Sequence, residues 1–434
     1  MSSISTTPNH PSLASRILDR NTSIALLLCS SIWVLPWSRT FQLSVLVLAI
    51  ASITLLIRQR RECWAPGAAS WCAMNLCAAL ALGLSALSTE HPDKPLELMG
   101  FQLVLWLAGM AILYWARNDQ IWHRLQWCLF AIVGFWLIDG LFQALVGFDL
   151  FGVPRSERLG GYFSHPDKFG FYISFLCVWV LFAPVVRRWS LPLQGTVYLL
   201  CLAVTFFGNT RAGWVSFVLI SAVWLYMSRA QLLAALRTAP WILGLIVAAV
   251  GAAGWWILQD AQVSKRITAT IPQSFDIDGL AAVIPIRAQL WAQAWQQFLA
   301  NPWFGTGAGN YSLYLPESWT GTSLFQPYTH QVVLEVLAGT GAIGSLLYFT
   351  IAMLFIALVW RALFSKSATV RKEELLPVAP LLILVCVWFP LNTHRELFSS
   401  EMMVLTWLSM ALVIARLNLA GSSPANNNHN TDPL

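Results

Sequence analysis

A histidine and several arginines, placed just outside apolar segments, are the residues of this chain best suited to chemistry. His330 stands where a long loop leads into an apolar segment, Arg211 begins another such segment, and Arg287 lies in the loop. A neutral imidazole near pH 7 is the usual general base of proteins. A guanidinium presents a rigid fork of donors that suits phosphate. These residue types predict an anion site with a base beside it, although position alone leaves a structural role for His330 open.

Two of the charged residues lie where charge is costly. Arg211, in FFGNTRAGW, follows a very short turn, so its guanidinium cannot easily avoid the membrane interface, and an anionic partner is expected. Glu335 is an acid at membrane depth, for which we expect a pairing with His330 or with an arginine. Arg158, in RLGGYFSHPDKFGFY, has a similar setting, with paired glycines, a Pro-Asp turn and then a new apolar segment.

The composition indicates the elements that must position these residues. Apolar residues make up 57% of the 434 positions and charged residues only 11%, against about 25% charged in ordinary soluble domains. Runs of the length that crosses a bilayer as a helix, about 20 residues, recur along the chain. We predict twelve such spans, at 22–38, 41–57, 67–88, 96–116, 121–147, 168–186, 189–208, 210–227, 239–258, 331–363, 375–391 and 399–417. The predicted fold class is an all-α integral membrane protein.

One connection is long, and it defines the predicted organisation of the chain. Residues 259–330 form a loop that contains IRAQLWAQAWQQFLA (286–300), where Ile286, Leu290, Ala294 or Trp295, and Phe298 recur at helical spacing. This pattern predicts an amphipathic helix at the membrane surface. The remaining predicted segments are a cytoplasmic N-terminal segment (1–21), helices one to nine (22–258), helices ten to twelve (331–420) and a disordered tail (421–434).

The distribution of positive charge predicts the orientation. With the N-terminus in the cytoplasm, sixteen of the 26 lysines and arginines fall inside and ten outside, which favours cytoplasmic N- and C-termini. Eight of the outer ten lie in four segments: 148–168, 208–211, 259–330 and 392–398. They either bind lipid headgroups and pair with acids such as Glu157, Asp260 and Glu396, or form an outward-facing anion site.

Other kinds of site have weaker support. The glycine run NPWFGTGAGNY (301–311) lacks the preceding strand and the Lys-Ser/Thr of a phosphate loop, so a nucleotide site is not predicted. The eight cysteines fall in spans or at their cytoplasmic ends, without zinc-ligand spacing near a histidine. We therefore expect no metal site and no disulfide framework.

Four segments of the chain, in this order, resemble the O-antigen ligase and polymerase superfamily of bacterial inner-membrane glycosyltransferases. They are Arg158 to Gly170, Thr210 to Trp214, Arg287 with the run 301–311, and His330 with the following LEVLAGTGAIG. Two positions depart from the family pattern, Gln331 and Asp167, where the family usually has asparagine. Their roles therefore stay open.

The resemblance implies a particular reaction. A glycan would pass from undecaprenyl diphosphate to a sugar hydroxyl of lipid A-core on the periplasmic face, without metal, nucleotide or other cofactor. His330 would be the base, and Arg211 and Arg287 would stabilise the departing diphosphate, with inversion at the anomeric carbon. Substrate contacts would come from Arg158, Glu335, Asn310 and Tyr311. The expected partners are the lipid-linked glycan, the lipid A-core acceptor and membrane lipids, with no nucleic acid.

Three alternatives remain open at this point. An O-antigen polymerase or a protein O-oligosaccharyltransferase would use the same donor, and the sequence hardly separates them from a ligase. The shortness of the chain favours the ligase weakly. A transporter would predict internal inverted repeats, and none is visible in the sequence.

Overall fold

The computed structural model describes residues 19–59, 64, 67–156, 158–163, 165–238, 241–268, 285–316, 328–364, 377–389 and 395–417. Within these ranges the chain forms fifteen α-helices and no strand. In chain order they are α1 Arg20–Trp33, α2 Phe41–Arg58, α3 Ala68–Ser85, α4 Asp93–Trp115, α5 Asp119–Val146, α6 Pro166–Leu176, α7 Val178–Val186, α8 Leu191–Phe207, α9 Arg211–Thr238, α10 Trp241–Gln259, α11 Ala261–Thr268, α12 Pro285–Ala300, α13 Val332–Phe364, α14 Val378–Trp388 and α15 Ser400–Leu417.

The helices confirm an all-α membrane protein. Within the described ranges, eight spans are long and apolar enough to cross a bilayer, formed by α2, α3, α4, α5, the α6–α7 segment, α9, α13 and α15. Shorter apolar helices are α8, α14 and part of α10. Together with α1, a helix therefore stands at each of the twelve predicted spans. The domain boundaries and the orientation stay predictions, and residues 1–18 and 418–434, with most of both predicted terminal segments, lie outside the described residues.

Two segments form the centre of the bundle. In α15 and in the α6–α7 span, 89% of the residues are buried inside the protein, whereas the corresponding share is 28% in α2. The outer helices turn large apolar side chains away from the protein, as Leu43, Ile57 and Val218 illustrate. Helix α4 packs against α2, α3 and α15, and α9 packs against α6. The apolar exterior is the surface that hydrocarbon would cover.

Helix α13 is interrupted at Gly341, and the glycine run of the loop is hydrogen-bonded to the break. Gly341 has φ 64° and ψ −168°, outside helical geometry. Four backbone hydrogen bonds join 302–307 to 338–343. They run from Thr306 N to Ala338 O (2.9 Å), from Gly307 N to Gly339 O (3.1 Å), from Ala342 N to Pro302 O (2.8 Å) and from Ile343 N to Trp303 O (3.1 Å). Irregular backbone inside a membrane protein is tolerated where such bonds satisfy its polar groups.

Glycine is required on both sides of this junction. A Cβ atom at Gly341 would lie 2.5 Å from the backbone nitrogen of Phe304, and one at Gly305 would lie 2.5 Å from the backbone of Gly339. The φ of Gly305 is 74°, also in the region that favours glycine. The two glycine-rich stretches of the sequence therefore pack against each other.

The predicted helix is confirmed as α12, and its buried face agrees with the predicted one only in part. Leu290, Ala294 and Gln297 are buried, whereas Ile286 is 71% exposed and Trp295 is 45% exposed. The buried face is set by tertiary contacts, because Gln297 Nε2 donates to the backbone oxygen of the loop residue Tyr311 at 3.1 Å. The polar side chain of Gln297 therefore lies on the buried face of α12, where the apolar pattern predicted only apolar residues.

Candidate functional site

His330 occupies a constrained position directly before α13. Its φ is 53°, in the left-handed region that histidine tolerates better than most residues other than glycine. Its ring lies against that of Tyr328, with centroids 4.0 Å apart. The next residue, Gln331, accepts a hydrogen bond from Leu334 N at 2.6 Å. Gln331 therefore caps the N-terminus of α13, a role that the sequence had left open.

Helix α12 contacts the residues directly before α13. Trp291 Nε1 donates to the backbone oxygen of Thr329 at 3.0 Å. Arg287 lies one helical turn before Trp291, on the same face of α12. Its charge lowers the pKa of Tyr328, so the guanidinium is within electrostatic range of that phenol. Of the three predicted catalytic residues, His330 is therefore in ring contact with Tyr328, and Arg287 is within electrostatic range of it.

Four ionisable side chains are within electrostatic range of the Tyr328 hydroxyl. Burial is the largest cause that raises the pKa of Tyr328; with the smaller upward effects of Glu396 and Glu335 and the opposing charges of Arg395 and Arg287, the pKa is about 12. The phenol is therefore protonated at neutral pH and can donate a hydrogen bond.

Glu335 supports the turn that precedes α15. It is 4% exposed, and one carboxylate oxygen accepts from Phe398 N at 3.0 Å. The other oxygen is enclosed and has no hydrogen-bond partner among the described residues. The sequence predicted His330 or an arginine as its partner. The contact found is to backbone, because the turn before a helix presents N–H groups that need an acceptor.

Glu396, in the same turn, is placed to titrate near neutrality. Burial raises the pKa of Glu396 from 4.5 to about 7, against the opposing charges of Lys94 and Arg395. Desolvation therefore outweighs the two nearby cations at this carboxylate.

A second charged cluster joins α6 to α15. Glu401 accepts from Lys168 Nζ at 2.5 Å and from Tyr172 Oη at 2.7 Å. Arg395 Nη1 lies 3.7 Å from the same carboxylate. Arg395 thus stands between this cluster and Tyr328, and it connects the core of the bundle to the His330 segment.

Arg211 begins α9 beside α6. Thr210 Oγ1 donates to Gly170 O at 3.2 Å. The backbones of Gly170 and Gly208 approach so closely that a Cβ at Gly170 would lie 2.4 Å from Gly208 O. The short turn is therefore pressed onto α6, and Arg211 is partly buried at that end of the bundle.

Four helices, α6, α9, α13 and α15, begin at this end. Side-chain contacts tie their first turns together in pairs: Lys168 with Glu401, Glu335 with Phe398, and Thr210 with Gly170. The N-terminus of a helix carries a partial positive charge and exposed N–H donors. Together with the arginines and Lys168, these termini make the region suited to an anion.

Asn310 and Tyr311 lie inside the packing of the loop. Asn310 is fully buried, and its Nδ2 donates to Thr89 Oγ1 at 3.2 Å and to His91 O at 2.8 Å. The Tyr311 hydroxyl donates to Leu290 O at 2.7 Å. These contacts anchor the loop, and direct substrate contact by either residue stays a prediction.

Arg158 lies in the folded turn between α5 and α6. Its backbone oxygen accepts from Ser156 Oγ at 3.1 Å. The following N–H groups of Gly160 and Gly161 both donate to Gln143 Oε1 at 2.9 Å. The side chain is partly buried. Its predicted contact with substrate also stays a prediction.

The sequence had suggested acid partners for the outer cations. Arg155 and Asp260 form a partly buried pair with an N–O distance of 2.5 Å, so this part of the prediction is confirmed. Lys168 pairs with Glu401, which the sequence did not predict. Tyr328, Tyr172 and Glu401 were missed altogether, since nothing in their spacing distinguishes them from packing residues. Lys168 and Arg395 did carry a signal, because both were among the ten cations on the predicted outer side.

Membrane-crossing helices with a cluster of cations and a histidine at one end define an integral membrane protein with a charged site. Residues 196–349 match a family model described as O-antigen ligase, in agreement with the resemblance to the O-antigen ligase and polymerase superfamily. The match supports an O-antigen ligase or polymerase type of function, in a family of glycosyltransferase-like membrane enzymes with lipid-linked glycan substrates. It includes Arg211, Arg287 and His330 but not Lys168 or Arg395. No curated protein matches the chain.

Proposed function

We propose that this protein is an O-antigen ligase. It transfers a polysaccharide from undecaprenyl diphosphate to a sugar hydroxyl of lipid A-core, in lipopolysaccharide biosynthesis at the bacterial inner membrane. The observation that carries the proposal is the gathering of arginines and helix N-termini around the pair of Tyr328 and His330. Under the proposed orientation, with cytoplasmic termini, this end of the bundle faces the periplasm.

The arginines act on the leaving group. As the glycosidic bond breaks, negative charge develops on the diphosphate, and preorganised positive groups lower the barrier when they face that charge. Arg287 and Arg211 supply two such groups, and the first turns of the surrounding helices add oriented N–H donors. We therefore propose that no metal ion is needed at the diphosphate. Arg158 contacts the diphosphate or the glycan.

His330 acts on the acceptor. The acceptor oxygen attacks the anomeric carbon, its proton passes to the imidazole, and the bond from that carbon to the diphosphate oxygen breaks. Undecaprenyl diphosphate leaves with the electron pair of that bond. A single displacement of this kind inverts the anomeric configuration. The ring of Tyr328 fixes the plane of the imidazole, and the contacts of Glu335, Asn310 and Tyr311 hold the segments around the substrate.

The test uses purified protein in detergent, a lipid-diphosphate-linked glycan, rough lipopolysaccharide and EDTA. Wild type is compared with His330→Ala and Arg287→Ala. The matched control is Arg39→Ala, because Arg39 is an exposed arginine on the same predicted side. We expect transfer by wild type, a loss of about 100-fold or more in both site variants, and near-normal transfer by the control.

Different acceptors separate the related activities. A product from donor alone would assign the protein as a polymerase, and a product with pilin would assign it as a protein oligosaccharyltransferase. Each of these results would refute the assignment as a ligase but would agree with the proposed site for glycosyl transfer. Failure of wild type with all three acceptors would refute glycosyl transfer, and the remaining class to test would be a transporter.

A further inference from the structure

A small cavity lies at the opposite end of the bundle from the His330 site. Its volume is about 50 Å³, and it is bordered by α5, α7, α14 and α15. The lining includes Trp122, Trp179, Arg187, Val378 and Arg416. Arg416 lies fifteen positions after Glu401 in α15, which corresponds to about 22 Å along a helix axis. A space of this volume exceeds that needed for one water molecule and is open to a small polar group.

The burial of the charged Arg416 side chain is explained by its hydrogen bonds within the protein. It is 8% exposed, and its Nη1 donates to Asp119 Oδ1 at 2.8 Å and to the backbone oxygens of Ala116 and Arg117 at 3.3 Å. These oxygens lie at the C-terminus of α4, where a cation is favourable. Its guanidinium still borders the cavity and contributes positive charge there.

The described residues do not provide Arg187 with a comparable set of hydrogen-bond acceptors. Its guanidinium stacks on Trp127 at 4.0 Å from the ring centroid. Its Nη2 is enclosed and has no hydrogen-bond acceptor among the described residues. An enclosed N–H donor of a charged group is costly without an acceptor. A ligand oxygen in the cavity would provide one.

The N-terminus of α14 adds a third positive element. Pro377 precedes the helix and gives no side-chain cap to the first turn. The N–H groups of Val378 and Ala379 belong to that turn, where an α-helix has no internal acceptors. Val378 and Ala379 both line the cavity. Two arginines and a helix N-terminus therefore face one small space.

Tryptophans indicate the depth of this cavity. Trp122 and Trp179 lie 6.3 Å apart and border it, and Trp127 and Trp189 lie 6.4 Å apart beside Arg187. Tryptophan is enriched at the headgroup level of membranes. Basic pockets between helices at this level bind anionic lipid headgroups. We propose that the cavity binds the phosphate of an anionic phospholipid, independently of the transfer reaction.

The test measures phospholipid retention by the full chain. Wild type, Arg187→Gln and Arg188→Gln are purified in detergent, titrated with phosphatidylglycerol or phosphatidylcholine, and examined by native mass spectrometry. Arg188 is the matched control, because it is the neighbouring arginine and its side chain is exposed. We expect wild type to prefer phosphatidylglycerol. We also expect about a tenfold loss of that affinity in Arg187→Gln, as for removal of a charge-assisted hydrogen bond, and little change in Arg188→Gln.

Two further arms keep the proposal open to refutation. Arg187→Lys keeps the charge without the fork of donors, so its affinity should lie between those of wild type and Arg187→Gln even if the glutamine variant folds poorly. The proposal fails if the two glutamine variants lose equal affinity, or if wild type does not distinguish the two lipids. Displacement of phosphatidylglycerol by an equal concentration of inorganic phosphate would instead assign the site to the free anion.

Discussion

Replacement of Gly341 by alanine tests how the loop is held in α13. Gly341 has φ 64° and ψ −168°, a combination that costs other residues about 1 to 3 kcal/mol. The added Cβ would also lie 2.5 Å from the backbone of Trp303 and Phe304. Because both obstacles are backbone atoms, no side-chain rotation relieves the clash. The loop backbone has to move away from the helix.

The magnitude follows from what that movement breaks. Four backbone hydrogen bonds of 2.8 to 3.1 Å join 302–307 to 338–343. Each is worth about 1 kcal/mol net in a protein. Adding the strain at Gly341, we expect a loss of up to about 7 kcal/mol in the free energy of unfolding, which is a large fraction of the stability of most domains.

The assay is unfolding in mixed detergent micelles, followed by tryptophan fluorescence, with limited proteolysis of the loop in parallel. Gly100→Ala is the control, because Gly100 is in the interior of α4 and its added Cβ would meet no atom within 4 Å. The control should be unchanged or more stable by about 0.5 to 1 kcal/mol. Gly341→Ala should unfold at lower denaturant and be cleaved faster in the loop. Equal stability and equal cleavage of the two variants would refute this account of the junction.

Three further predictions concern the charged and positioning residues. Burial raises the pKa of Glu396 to about 7, so its stabilising contribution is complete below pH 4.5 and is lost as the pH rises through 7. The free energy of unfolding of wild type should therefore fall by up to about 3 kcal/mol as the pH rises from 4.5 to above 7, and this fall should be absent in Glu396→Gln. Asp260→Asn should destabilise by up to about 3 kcal/mol, since the partly buried Arg155 would lose its ion-pair partner. A double-mutant cycle with Arg155→Met should show strong coupling, and additive effects of the two substitutions would refute an interaction between these side chains. Trp291→Phe, which loses its hydrogen bond to Thr329, should lower kcat with little change in KM, and an unchanged kcat would contradict a positioning role.

Most of the fold could be predicted from the sequence because the bilayer imposes one strong length rule. A helix stands at each of the twelve predicted spans, and α12 was predicted from its periodicity. The buried face of α12 was harder to predict, since Gln297 is buried by a hydrogen bond to a loop that comes later in the chain. Periodicity reports apolar character alone and cannot anticipate such a partner.

The sequence predicted which types of residue form the candidate site, but it predicted only some of the contacts between them. The isolated charges of Arg287 and His330 were visible because charge is rare in this chain. The packing of Tyr328 and the Glu401 cluster depend on which helices meet, and a single sequence does not specify that. The pairing of the two glycine runs with each other was not visible in the sequence, because backbone hydrogen bonds leave no side-chain pattern.

The interruption of α13 also bears on how this helix inserts into the membrane during synthesis. The N–H groups of Ala342 and Ile343 are satisfied by the oxygens of Pro302 and Trp303, which leave the ribosome about forty residues earlier. When α13 enters the bilayer, these donors still need acceptors, and hydrocarbon supplies none. The loop must therefore already be close to the translocation site, or water must accompany the break until it arrives. In the first case, docking of residues 302–307 is a step of membrane insertion itself.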